Sequence, residues 1–347
     1  MLERCLLVLV ENFMAFQQNF IERYFFSPTL FDKIISFLLL PFSFLYYVLA
    51  ITRKKYGKKK DFHIKIISIG NLVSGGSGKT PFCIAILHFL HAHGYMNLGV
   101  VLRGYKRKTR GLLQVSMRGN ILCDVLQSGD EAMLIALQTQ KLQTSVFVSE
   151  TREDAIVYAK KLGIEIIVLD DSYRFTFKKF DVLLEPELCP FFERVLPSGY
   201  YRFPPSFYAQ CDMHLKEGKD YIRKMSLCQF PRRLVDAQSS VKQNSSLQCK
   251  PNRYVLATAI ANPSRLDIVS SLIVPHVIVY RYSLPDHGVF DESLLECLLQ
   301  TYNADCILMT QKDFVKCQSF TLPIHVIDLR IEIMQQKLQK ILEYLTH

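Results

Sequence analysis

The chain has 347 residues, a formal net charge of +10 with a pI of about 9.0, and 49% hydrophobic residues. That length accommodates two α/β domains with sizeable cores, and the charge favours anionic partners: nucleotide, phospholipid or nucleic acid. The ten cysteines are scattered with no Cys-x-x-Cys pair, which argues against a zinc site or a disulfide framework and for a reducing compartment.

In chain order, residues 1–60 are unlike the rest. Residues 6–10 form a short apolar run, and 34–51 form a longer uncharged one interrupted by Pro41. The basic stretch Arg53-Lys-Lys-Tyr-Gly-Lys-Lys-Lys60 follows at once. A spanning helix needs roughly 20 apolar residues, so three readings stand: a helix lying in the membrane interface, a true span, and a buried helix of the core. A cleaved signal peptide fits poorly, because the long run is far from Met1 and no small-residue cleavage site follows it. The basic cluster favours a membrane reading, each Lys or Arg near an anionic leaflet contributing about 1 kcal/mol. If the run spans, the positive-inside rule makes the cluster cytoplasmic.

Residues 61–205 read as alternating strands (63–69, 98–102, 145–149, 165–169, 181–184) and helices (81–91, 131–137, 152–162). Apolar strands alternating with helices imply a parallel sheet covered on both faces, with ligands beyond the strands' carboxyl ends. The first strand runs into Ser74-Gly-Gly-Ser-Gly-Lys-Thr-Pro81. This is strand, glycine cluster and helix start, the arrangement in which backbone N–H groups curl around phosphate. Gly75, Gly76 and Gly78 supply the curl, and Ser74, Ser77 and Pro81 complete the loop. Lys79 would reach the β/γ-phosphates and Thr80 would ligate Mg²⁺. The strict pattern wants a glycine at position 73, where this chain has Val73, so a plain glycine-rich turn is the competing reading. Gly-Lys-Thr between a buried strand and a helix favours a nucleoside triphosphate site.

Residues 206–252 are polar and basic and read as a linker carrying a short strand or hairpin. A second α/β pattern follows in 253–347: strands at 253–259, 277–280, 306–309 and 324–327, helices at 263–272 and 291–299, and a closing amphipathic helix at 331–345.

Several constellations could carry chemistry. The strand 165–169 ends in Asp170-Asp171, where P-loop enzymes keep a carboxylate for Mg²⁺; helix capping is the alternative, but Tyr173-Arg-Phe-Thr-Phe does not look helical. Ser128-Gly-Asp-Glu131 has capping-box spacing, which gives Asp130 and Glu131 a purely structural reading beside a chemical one. Pro285-Asp-His-Gly288 has the chemistry of a tight turn. Arg103-Gly-Tyr-Lys-Arg107 and Arg202 lie on the ligand side of the sheet, although isolated arginines are more often solvated.

Taken in order, Gly-Gly-Ser-Gly-Lys-Thr-Pro, Leu-Arg-Gly-Tyr, Gly-Asp-Glu, Leu-Asp-Asp, Leu-Pro-Ser-Gly, Ala-Asn-Pro, Pro-Asp-His and Thr-Gln-Lys-Asp make the chain resemble the tetraacyldisaccharide 4'-kinase family of Gram-negative bacteria. The resemblance runs from about residue 67 to 315. It implies two α/β/α, Rossmann-like P-loop domains joined by a β-ribbon linker, with the active site in the cleft between them and a hydrophobic N-terminal membrane segment. It implies ATP and Mg²⁺ as cofactors and an acylated glucosamine disaccharide 1-phosphate as acceptor of a 4'-phosphate. It further implies work at the anionic cytoplasmic face of the inner membrane, with no nucleic acid and no obligate protein partner.

Carried over by position, Lys79 and Thr80 hold ATP phosphates and Mg²⁺. Asp130 matches the catalytic aspartate paired with the histidine at His287, and Glu131 and Asp286 flank them. Asp170 and Asp171 match the carboxylates of the metal and phosphate site, and Arg152 and Arg202 match arginines of the substrate and phosphate pocket. The chain departs from the family at Ser172-Tyr-Arg-Phe175, where Gly-Phe-Gln-His is usual, and at Phe203, where Glu is frequent. These departures read as altered substrate contacts, with Arg174 as a substitute contact. The alternative from another class is a membrane-attached P-loop ATPase or nucleotide switch that couples hydrolysis to a partner or a transport step. It predicts partner-stimulated hydrolysis and no phosphorylated small product.

Overall fold

The computed structural model describes residues 23–57, 59–74, 78–228, 252–260 and 263–346. The apolar run 6–10, the loop residues Gly75, Gly76 and Ser77, and residues 229–251 of the polar stretch lie outside them.

The fold is mixed α/β with two sheets. The first sheet has the strand order β4-β3-β5-β2-β6-β1-β7-β8. Its parallel strands are β1 (Lys65–Asn71), β2 (Leu98–Leu102), β5 (Ser145–Val148), β6 (Ile166–Asp170), β7 (Phe180–Glu185) and β8 (Met213–Lys216). Strand β1 pairs with β6 and β7, opposing Ile69 to Asp170 and Asn71 to Leu184. Both the glycine loop and Asp170-Asp171 therefore leave the same edge of the sheet. The antiparallel pair β3 (Leu113–Met117) and β4 (Asn120–Ile121) is absent from the sequence reading. Strand β8 falls inside the stretch read as linker, yet it is the edge strand of this sheet.

The second sheet has the order β11-β10-β12-β13-β9. Here β9 is Tyr221–Cys228, β10 Arg253–Thr258, β11 Val277–Ser283, β12 Cys306–Thr310 and β13 Ile324–Ile333. Strands β10 to β13 are parallel, and β9 runs antiparallel to β13. Strand β10 lies between β11 and β12, so the chain reverses its lateral direction there. At such a switch point the turns after neighbouring strands splay apart and leave a crevice. The closing helix begins later than its amphipathic pattern predicts, at Gln335–Thr346, because residues 331–333 continue β13. The helix expected at 263–272 is two short pieces, Pro263–Leu266 and Val269–Leu272.

The N-terminal apolar run is divided between two helices, α1 (Leu30–Leu38) and α2 (Leu40–Tyr56), set at 54°. Pro41 sits in the first turn of α2, where its missing N–H costs nothing but a continuous helix cannot pass. No single helix among the described residues is long and apolar enough to cross a membrane. These helices are polar on the inside. The buried residues of α1 are Asp32 and Ser36, and that of α2 is Ser43. Asp32 pairs with Arg23 at 2.9 Å, Ser36 Oγ donates to the Ser198 carbonyl at 3.0 Å, and Ser43 Oγ accepts from the Ser198 N–H at 2.8 Å. Outside, Leu30, Phe37 and Phe44 are 77%, 68% and 69% exposed. A core helix has the opposite distribution, so the buried-helix reading fails.

Candidate active site

The helix α3 (Lys79–Ala92) starts at Gly78, which has φ 75° and serves as its N-cap with no side-chain cap. A left-handed residue there is cheap only for glycine. Lys79 Nζ donates to Asn71 Oδ1 at 3.2 Å and lies 3.6 Å from Asp171 Oδ1. Thr80 Oγ1 donates to Asp170 Oδ2 at 3.3 Å. The last residues of β1 and β6 thus meet the first turn of α3.

The two adjacent carboxylates differ. Burial pushes the Asp170 carboxyl up to about 7, with Glu131 adding to the rise and Lys79 opposing it. Asp171 is also desolvated, but Lys79 and Arg202 outweigh that and hold it below the usual carboxylate range. Arg202 Nη1 donates to both Asp171 oxygens at 2.9 and 3.2 Å. Asp170 Oδ1 is buried and has no hydrogen-bond partner. A buried, unpartnered carboxylate oxygen beside a threonine hydroxyl suits Mg²⁺, which binds through one or two protein oxygens and completes its shell with water and phosphate. No group of three His, Cys, Asp or Glu gathers among the described residues, which such a site does not need. Asp170 and Thr80 fit the ion. Asp171 is engaged by Lys79 and Arg202.

Arg152 is buried behind this strand end. Its Nη1 donates to the Ser149 carbonyl at 2.7 Å and its Nε to Ser172 Oγ at 3.4 Å. Burial lowers it to about 10, partly offset by Asp170. In this structure it braces the Asp170 turn. The departures at Tyr173 and Phe203 are matched to one another: their rings pack edge to face at 5.4 Å, and both contact Phe207. They form a packing cluster. Arg174 is exposed and lies over the Phe175 ring at 4.8 Å.

The second cluster contains Asp130 and His287. The helix α4 (Asp130–Gln138) is capped by Gly129, whose φ is 85°, with no side-chain cap. Ser128 instead ends the preceding short helix Val125–Ser128. The capping box read from Ser128 and Glu131 is therefore not formed; Asp130 Oδ1 instead accepts from the Glu131 N–H at 2.9 Å. Asp130 is 6% exposed, and His287 Nδ1 lies 2.8 and 2.9 Å from its two oxygens. Burial raises the Asp130 carboxyl, but the His287 hydrogen bond and then Lys312 outweigh burial and hold it below its ordinary value. It is ionised at neutral pH.

His287 stands in the turn after β11 with φ 65°, its N–H donating to the Ala259 carbonyl at 3.1 Å. Its Nε2 lies 3.4 Å from Lys312 Nζ and 3.5 Å from Asp286 Oδ2. Lys312 also reaches Asp286 at 3.2 Å and Glu131 at 3.6 Å. Burial depresses this ammonium, but Glu131, Asp130 and Asp286 raise it further than burial lowers it. The sequence alone does not single out Lys312. The available signal was Thr310-Gln-Lys-Asp313: Thr310 Oγ1 donates to Asp313, and Asp313 accepts from Thr258 Oγ1 and the Ala259 N–H. Asp313 thus locks the ends of β10 and β12 together and presents Lys312 to the pair. The two clusters share one field, since the Glu131 carboxylate helps raise Asp170.

The arrangement provides a helix N-terminus with a lysine for polyanion binding, carboxylate and hydroxyl oxygens of a kind that would suit Mg²⁺, and a carboxylate oriented by a histidine. The tetraacyldisaccharide-1-P 4'-kinase family model matches residues 35–346. A protein of Helicobacter pylori (strain HPAG1) named tetraacyldisaccharide 4'-kinase is 41% identical over 332 residues, covering 96% of each chain. One of the same name from Campylobacter jejuni (strain RM1221) is 40% identical over 328 residues, covering 94% of this chain and 95% of the relative. Among solved structures, LpxK from Aquifex aeolicus in complex with ATP aligns with a TM-score of 0.66 at 24% identity, covering 89% of this chain and 98% of that one.

Proposed function

The chain belongs to the tetraacyldisaccharide-1-P 4'-kinase family, and from that premise we propose that it transfers the γ-phosphate of ATP to the 4'-hydroxyl of a tetraacylated glucosamine disaccharide 1-phosphate. The observation that carries the residue assignment is the buried contact of Asp130 with His287, made between the two sheets. Asp130 accepts the proton of the sugar hydroxyl as its oxygen bonds to the γ-phosphorus, and ADP leaves with the electrons of the broken P–O bond. His287 orients the carboxylate through Nδ1, and Lys312 supplies positive charge that keeps it ionised. Lys79 offsets phosphate charge, and Arg202 adds a further cation through its pair with Asp171. Asp170 and Thr80 would hold Mg²⁺, which when bound neutralises charge on the transferring group. Glu131 and Asp286 keep Lys312 in place, and Arg152 holds the Asp170 turn. Incubation with γ-labelled ATP and a bacterial glycolipid extract tests the assignment: label enters lipid if it is right, and remains in ATP and inorganic phosphate if it is wrong.

Residues 1–60 would seat the enzyme on the cytoplasmic face of the inner membrane, so that the acyl chains need not leave the bilayer. Support comes from the outward Leu and Phe side chains of α1 and α2, with Arg53, Lys54 and Lys55 in the last turn of α2. Deleting the segment would also strip Ser36 and Ser43 from Ser198 and Lys54 from the Tyr173 carbonyl. Substitution is the cleaner test. Phe37→Glu, Phe44→Glu and Leu49→Glu together should leave the melting temperature within a few degrees and move the protein to the soluble fraction, since exposed positions carry little fold stability. Unchanged partitioning would show that this face does not bind the bilayer.

A further inference from the structure

Strand β9 brings an arginine onto the phosphate loop from the other sheet. A Cβ built on Gly78 would lie 3.1 Å from Arg223 Nη2, 3.2 Å from Cζ and 3.4 Å from Nε, so the guanidinium rests on the first turn of α3. The placement is fixed by packing. Tyr221, two residues earlier on β9, is buried with its ring edge-on to Phe82 of α3 at 5.5 Å. Arg223 itself pairs with Ile331 in the β9–β13 ladder. Its counter-ion is Glu217: Nη2 donates to Oε2 at 2.8 Å, while Nε lies 2.6 Å from Oε1 but is buried without a hydrogen-bond partner among the described residues. The two side chains are only 13% and 14% exposed.

The position is electrostatically odd for a structural ion pair. The N-terminus of a helix carries partial positive charge and disfavours cations. Here Lys79 is the next residue after Gly78, and Arg265, from the turn after β10, is close enough that Arg223 helps lower its pKa after burial does. Cations gathered at a helix N-terminus are favourable only if an anion joins them.

We propose that Arg223 is a phosphate-binding residue of the nucleotide site, held ready by Glu217 and donated to the nucleotide's phosphates when they occupy the loop. The proposal rests on the reading of residues 74–81 as the nucleotide loop. It gives the β9–β13 ribbon a task beyond joining the two sheets: a guanidinium from the second sheet reports that phosphate is bound to the first. Arginine suits this because its planar fork can keep one bond to Glu217 while donating another to phosphate.

The test uses the full chain in mild detergent, with ATP and adenosine monophosphate affinities, kcat and melting temperature measured for four variants. Arg223→Gln should weaken ATP binding by about tenfold or more, as expected for a lost hydrogen bond to a charged group, while adenosine monophosphate binding and the melting temperature barely move. Arg223→Lys should fall between it and wild type. Glu217→Gln, which releases the guanidinium, should tighten ATP binding by about threefold or more. If Arg223→Gln does not fold, the Lys and Glu217 variants carry the test by the same signs. ATP affinity unchanged in Arg223→Gln, or ATP and adenosine monophosphate weakened equally along with the melting temperature, would overturn the proposal. Lys79→Ala separates the two levels. Loss of ATP there with normal binding in Arg223→Gln removes only the Arg223 role. Normal ATP binding in both removes the loop assignment as well.

Discussion

Asp130→Ala should lower kcat by about 10²–10⁴, the range for loss of a general base, while ATP affinity stays close to wild type. His287→Ala should fall in the same direction, and the double variant should be little worse than the worse single. Residues that act as a unit lose their joint contribution once, so their effects are strongly non-additive. The geometry supports a unit: His287 Nδ1 is within 2.9 Å of both Asp130 oxygens, and both side chains are almost wholly buried. Asp130 is not the N-cap residue, which is Gly129, although its Oδ1 also accepts from the Glu131 N–H at 2.9 Å. A cap would in any case cost about 1 kcal/mol of stability with little effect on rate. The linkage has a definite sign. A carboxylate whose folded pKa lies below its unfolded value of about 3.9 stabilises the fold above that value and loses the contribution as pH falls through the folded pKa. The stability difference between wild type and Asp130→Asn should therefore be flat near neutrality and shrink in acid. Fully multiplicative rate losses in the double variant, or losses that track the melting temperature, would break the pair.

Lys79→Ala should reduce phosphoryl transfer by about 10²–10³ or more, the scale on which a single preorganised charge or donor acts in a desolvated site. The fold should survive. Lys79 Nζ contacts Asn71 and Asp171 at the surface of the cleft, and Asp171 keeps its contacts to Arg202 when the lysine is gone. Because the lost charge faces phosphate, both ATP affinity and kcat should fall, which distinguishes this variant from Asp130→Ala. Near-normal turnover in a phosphorylation assay would remove the loop from the mechanism.

Much of the architecture was legible because the buried strands are short continuous apolar runs. Strand β2 falls where Val100, Val101 and Leu102 predict it, and β6 and β7 differ from expectation only at their ends. What escaped has identifiable causes. Strands β3 and β4 carry Gln114, Ser116 and Asn120 at a sheet edge, where half-buried positions give no apolar run. The extension of β13 reads Leu-Arg-Ile-Glu-Ile, a period-two pattern that also opens a plausible amphipathic helix. Strand β9 was obscured because Arg223 and Lys224 make it look like a polar linker, although its ladder to β13 is one of the longest in the protein. The aspartates at strand ends were visible because a buried strand ending in acid is unusual. Lys312 was not, because a single lysine in a helix-start motif resembles a solvated one until Asp313 is seen locking the strands beneath it. The inside-out helices α1 and α2 were half visible: composition marked them as apolar, but only their packing shows that serine and aspartate face the protein.

The most direct measurement is the stoichiometry of ADP to phosphorylated lipid in a reaction with purified protein, ATP, Mg²⁺ and tetraacylated disaccharide 1-phosphate in detergent micelles. One ADP should appear for each new 4'-phosphomonoester, with little ADP in the absence of lipid and neither product from Asp130→Ala. Release of ADP at the same rate without lipid, with no phosphorylated lipid formed, would contradict the kinase account and favour a nucleotide-driven switch.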